Sequence, residues 1–182
     1  MSINTITTPG QDNRLAGKYL AFTLQPESYG IPVLKVREII RLTDITPIPQ
    51  MPAFIRGVIN LRGKIVPVID LRVRLNLAPA TATERTCIVV AQVHTTGGPA
   101  IQLGLVVDGV EEVLNLASSD IEETPDFGSK LDTQSLLGIA KLKGRVTALL
   151  DIDRVLAGAG LEKIAHSTGS HSPTAEVGRG SF

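Results

Sequence analysis

Asp70, Asp151 and Asp153 are the residues whose type and spacing could do chemistry, as carboxylate ligands for a divalent cation. A small metal-dependent enzyme using these three aspartates is therefore the catalytic alternative. The sequence offers it little else. His94 stands alone in the polar loop with Thr95-Thr-Gly-Gly-Pro99, with no Cys or second His at ligand spacing. Ser118-Ser119-Asp120 precedes Ile121-Glu122-Glu123, a pattern that suits a turn or helix cap better than a nucleophile. Neither standard glycine-rich phosphate loop occurs. His166 and His171 lie in a Ser/Gly/Thr-rich stretch that reads as solvated tail rather than metal site. The single cysteine, Cys87, opens the apolar run Cys87-Ile88-Val89-Val90 and reads as a small buried hydrophobe. No catalytic residue, metal ligand or cofactor is assigned.

Composition sets the elements that must carry whatever function there is. Hydrophobic residues make up 43% of the 182, yet aromatics are only 3% and Trp is absent, so the core is built from Val, Ile and Leu. Such side chains fit pleated surfaces and favour strands. Eighteen basic residues balance eighteen acidic ones, leaving no excess to neutralise a phosphate backbone, which argues against nucleic-acid binding. No apolar run reaches the length of a membrane span, and the N-terminal segment lacks the pattern of a secretory signal. A cytoplasmic protein without direct membrane insertion is expected. Residues 1–17 read as a flexible leader and residues 158–182 as a flexible tail.

Between these ends the pattern alternates. Leu20, Phe22 and Leu24 share one face of a strand. Residues 57–61 and 64–69 read as two strands joined at Arg62-Gly63, where Gly63 supplies a positive φ. Pro67 inside the second run argues for an edge or a bulge. Gly57, Gly104 and Gly109, isolated in strand patterns, suit bulges. Val33 to Leu42 fits helix and strand periods alike, which a brief helical turn feeding a strand satisfies.

The chain then repeats itself. Residues 57–75 align without gaps on residues 138–156, with Gly57/Gly138, Leu61/Leu142, Gly63/Gly144, Asp70/Asp151 and Leu75/Leu156 identical. In that alignment Asp153 falls on Arg72, so the acidic pair is not a feature of both copies. Asp70 and Asp151, each after an apolar strand, are better read as caps of the helical turns that follow. Gly30-Ile31 through Val36, Glu38 and Ile39 echoes Gly104-Leu105 through Val110, Glu112 and Val113. Two copies of one β unit follow, approximately residues 18–75 and 85–157, each marginal alone and expected to lean on its twin. Their contact would form a groove suited to a helix or peptide.

What remains is surface. Arg62 presents a charge at the tip of its turn, and Arg37 and Glu38 lie between Val36 and Ile39 on a mixed apolar and charged edge. Such an edge either blocks aggregation or receives a partner.

These residues carry a family resemblance. Residues 19–24, Tyr29-Gly30-Ile31, Val36-Arg37-Glu38-Ile39 and residues 45–49 look like the CheW family of chemotaxis coupling proteins. The strongest match is the long signature from Pro52 through Gly57 and Arg62-Gly63 to Arg72, continued by residues 104–114 and 144–151. The resemblance covers residues 18–157 in order. It implies an all-β fold of two small five-stranded SH3-like barrels packed as pseudo-repeats. It also implies a non-enzymatic adaptor that bridges the cytoplasmic tip of methyl-accepting chemoreceptors and the regulatory domain of a CheA-type histidine kinase, in receptor arrays at the inner membrane. Carried over by motif, Val36, Gly57, Arg62 and Val110 fall at receptor-coupling positions, and Glu38 and Ile39 where the kinase is contacted. A CheW-like adaptor of a parallel pathway, for twitching motility or second-messenger control, is the near alternative.

Overall fold

The computed structural model describes residues 14–124, 133–161 and 164. The expected leader, up to residue 13, and most of the expected tail, with His166 and His171, lie outside the described residues.

Strand β1 (Gly17–Leu24) turns into β2 (Glu27–Pro32), and a 3-10 turn at Val33–Lys35 leads to β3 (Val36–Arg41). The ambiguous stretch is thus a helical turn feeding a strand. The hairpin of β4 (Ile55–Leu61) and β5 (Lys64–Asp70) ends in the one-turn helix α1 (Leu71–Arg74). A second series follows: β6 (Cys87–His94), β7 (Ala100–Val107), β8 (Gly109–Leu116), the short β9 (Ile121–Glu122), β10 (Leu136–Leu142), β11 (Arg145–Leu150) and α2 (Ile152–Val155).

The repeat is visible atom by atom in its hairpins. Arg62 and Gly63 have φ of 51° and 83°, and Lys143 and Gly144 have 51° and 75°. Both central residues of each turn are left-handed, the type I′ geometry that matches strand twist. Sequence reading assigned the positive φ to Gly63 alone. The Asp70 carboxylate accepts from Val73 N, and that of Asp151 accepts from Arg154 N, so both aspartates cap the helices after them.

The two sheets do not follow the two halves of the sequence, so the division into subdomains 18–75 and 85–157 is corrected. Strands order as β8-β1-β2-β11-β10-β9 in one sheet and β3-β6-β7-β5-β4 in the other. Each repeat therefore lends its first hairpin to the other's sheet, through the parallel pairs β2–β11 and β7–β5. The physical reason is burial: β6 is apolar on both faces, with Ile88, Val89 and Val90 all fully buried. Ile88 and Val90 pack inside the five-stranded barrel with Ile59, Val66 and Val68. Val89, Ala91 and Val93 face a larger cluster shared with Phe22, Leu24 and Leu150 of the other barrel. Neither half could cover both faces alone.

Three further expectations are corrected. Pro67 lies on an interior strand, but the ladder from β5 to β7 begins at Val68, so the missing N–H breaks no bond on that side. Gly104 sits in a regular ladder, where a Cβ would come within 2.7 Å of Ile88 Cγ2; the glycine makes room rather than a bulge. The tail does not begin at residue 158, because Ala159, Leu161 and Ile164 are buried in the main core.

Candidate docking surface

Strand β3 ends the five-stranded sheet, and its side chains alternate between half-buried Val36, Glu38 and Ile40 and exposed Arg37, Ile39 and Arg41. A bulge between Val36 and Glu38 aims this edge. Glu38 is met there by Arg62, which donates through both terminal guanidinium nitrogens, one of them at 3.1 Å. That hydrogen-bonded guanidinium holds the Glu38 carboxyl below its ordinary value. Since β3 and β4 are the two ends of the sheet, the pair closes the barrel across its seam. In the other sheet Arg145 of β11 pairs with Glu111 of the end strand β8, 2.9 Å apart, and Glu111 also accepts from Ser28 Oγ.

Gly57 positions this surface rather than touching anything outside. Its φ is +141°, and a Cβ would lie 2.0 Å from the Thr46 carbonyl oxygen. Thr46 and Val58 exchange two backbone hydrogen bonds of 2.9 Å, so only glycine lets the Thr46–Pro47 segment press against β4. Val36 and Val110 are half-buried and pack on the inter-barrel cluster from equivalent strands β3 and β8. The structure thus gathers Val36, Glu38, Ile39 and Arg62 at one edge and sets Val110 on the other sheet.

Sequence reading missed most of the exposed apolar side chains. Ile39 and Ile65 are 46% and 45% exposed, and their repeat equivalents Val113 and Val146 are 53% and 57% exposed. Leu34, on the 3-10 turn before β3, is 89% exposed. A hollow of about 290 Å³ beside Ile65 is lined by Lys64, Pro67, Gln92 and Gln102. The signal was present: with Val66 and Val68 inside, a period of two sends Ile65 outward.

The carboxylates are committed elsewhere. Asp70 and Asp151 cap helices, and Asp153 accepts from His94 N at 2.9 Å and from Lys35 Nζ at 2.6 Å. Among the described residues they do not gather into one cation site. His94 is therefore the last residue of β6, tied to α2, rather than a lone loop residue. Asp120 accepts from Ala117 N at 2.8 Å, as a cap would. Cys87 is half-buried, and burial pushes its thiol up, away from the reactive thiolate.

Paired barrels with an apolar, charge-flanked edge on each define a small all-β scaffold. Residues 18–159 match the CheW-like domain family. The chain is 38% identical to the chemotaxis protein CheW of Klebsiella aerogenes over 87% of this chain and 96% of that protein. It is 36% identical to CheW of Rhizobium meliloti over 75% and 84%, and 30% identical to the protein FrzA of Myxococcus xanthus over 81% and 90%. The crystal structure of the scaffolding protein TtCheW from Thermoanaerobacter tengcongensis superposes with a TM-score of 0.68 at 33% identity, covering 78% of this chain and 88% of that one. The chain belongs to the CheW family, and it is a chemotaxis coupling adaptor with the family's two SH3-like barrels. Among the described residues no helix is long and apolar enough to cross a membrane.

Proposed function

We infer that this chain joins the cytoplasmic tips of methyl-accepting chemoreceptors to the regulatory domain of a CheA-type histidine kinase, by contact and without catalysing a reaction. It works in the cytoplasm, in receptor arrays at the inner membrane. The observation that carries this is the pairing of exposed Ile39 and Ile65 on one barrel with Val113 and Val146 on the other. Exposed apolar side chains of this kind, on a body that offers more than one docking surface, are what a bridge needs.

In this reading Val36, Gly57, Arg62 and Val110 serve the receptor contact, and Glu38 and Ile39 the kinase contact. Because Glu38 and Arg62 hydrogen-bond to each other, the two contacts meet at one edge. A partner that engages either residue changes what its neighbour presents to the second partner, which is how an adaptor without chemistry transmits a difference. Gly57 and Val36 act through shape. Repeated contacts in an array supply avidity that each modest interface lacks. The carboxylates an enzyme would use are occupied as caps or in an ion pair, which supports a role without catalysis.

The test is reconstitution with purified receptor and kinase. Arg62→Glu is expected to weaken co-sedimentation and kinase activation with little loss of thermal stability. The exchanged pair Glu38→Arg/Arg62→Glu restores the seam and leaves coupling impaired. Full kinase activation by Arg62→Glu would overturn the assignment of Arg62, and no co-sedimentation by the wild-type chain would overturn the function.

A further inference from the structure

Two charged clusters tie the barrels together, and they occupy equivalent places in the repeat. In the first, Arg72 of α1 is paired with Asp108 at 2.6 Å, and the side chains are 10% and 19% exposed. Arg72 also donates to the Gln25 carbonyl at 3.1 Å and to the Ala78 carbonyl at 2.8 Å, and Asp108 accepts from Gln25 N at 2.7 Å. In the second, Asp153 of α2 is paired with Lys35 at 2.6 Å and accepts from His94 N. His94 Nδ1 lies 3.0 Å from Lys35 Nζ.

The two clusters correspond in place, although Asp108 stands two residues before Val110 and Lys35 one before the equivalent Val36. Arg72 and Asp153 each stand two residues after a capping aspartate. Gln25 and His94 stand three residues beyond Phe22 and Ala91, which pair with the equivalent residues Val110 and Val36. Asp108 lies on the crossover from β7 to β8, and Lys35 on the crossover from β2 to β3. In both cases the helix that ends one barrel grips the hairpin of the other barrel and a crossover between them. The charges are inverted: cation on helix and anion on crossover in one, the reverse in the other.

We propose that this inversion selects the exchanged arrangement of hairpins. Had each hairpin packed on its own repeat, α1 would face the crossover at Val33–Lys35 and α2 the crossover at Asp108. Arg72 would then lie beside the turn that carries Lys35, and Asp153 beside the crossover that carries Asp108. Both placements would set like charges near each other at half-buried positions, where they are repelled rather than screened. In the exchanged fold both become attractive. Arg72 and Asp153 are thus positioning residues: they fix which hairpin enters which barrel, and so the angle between the docking faces.

The test compares wild type with two variants by amide hydrogen exchange in the β2–β11 and β5–β7 ladders, which exist only in the exchanged fold. Arg72→Asp/Asp153→Arg makes both exchanged contacts like-charged. Its ladder amides are expected to exchange about a hundredfold faster or more, or the variant does not fold at all, as when a buried pair is broken. Adding Lys35→Asp and Asp108→Arg restores opposite charges in both clusters and should recover folding and most of the protection. Wild-type protection in the double variant would overturn the proposal. So would a fourfold variant no better protected or folded than the double one.

Discussion

Arg62 reaches from the β4–β5 turn to Glu38 on β3, joining the two strands that end the five-stranded sheet. Both groups lie on the rim, so the pair contributes direction and register rather than much stability. Its consequence is readable by titration. The Glu38 carboxyl is held below its ordinary value by the guanidinium, so its contribution to stability is full above the ordinary value of an unfolded glutamate. That contribution is lost as pH falls through the lower folded value. Carboxyl-detected NMR should show Glu38 titrating below a free glutamate. Arg62→Gln should move its midpoint up; an unmoved midpoint would refute the pairing in solution.

Gly57 predicts a loss that glycine entropy alone does not explain. Gly57→Ala sets a Cβ 2.0 Å from a backbone oxygen at positive φ and should cost about 3 kcal/mol or more. Gly63→Ala, at φ +83° with open space around it, should cost only about 1 kcal/mol. Thermal unfolding of the two side by side checks the difference, and equal losses would place the strain elsewhere.

The capping aspartates separate a structural role from a metal role. Asp70→Ala and Asp151→Ala should each destabilise by about 1 kcal/mol, and Asp→Ser at either site should recover much of it, because a hydroxyl also caps. Calorimetry with added magnesium or calcium should show the same unfolding for wild type with and without the ion. A stabilisation that disappears in Asp151→Ala would revive the metal reading.

Exposed Ile39 and Ile65 predict function lost without stability lost. Ile39→Glu and Ile65→Glu should unfold within about 0.5 kcal/mol of wild type, since neither side chain is buried. At least one should fail to co-sediment with kinase and receptor. Intact assembly by the double variant would move the docking face elsewhere.

Much of this was legible in the sequence because it is local. The two capping aspartates, the glycine turn after Arg62 and the helical turn before β3 depend on neighbours within a few residues. The repeat was legible as well, since equivalent turns keep equivalent residues. Arg62 and Glu38 could be picked out as surface residues by motif, yet their mutual contact spans 24 positions and has no periodic signature. Arg72 and Asp108 left no trace for the same reason: a partner 36 residues away is set by the fold.

By itself, then, the sequence determined several of the strands, the turns between them and that one unit occurs twice, because periodicity, turn chemistry and capping act over short range. Tertiary structure alone decided that the two units trade hairpins. A strand such as β6, apolar on both sides, is satisfied only by two different neighbours at once, and no local pattern says which they are.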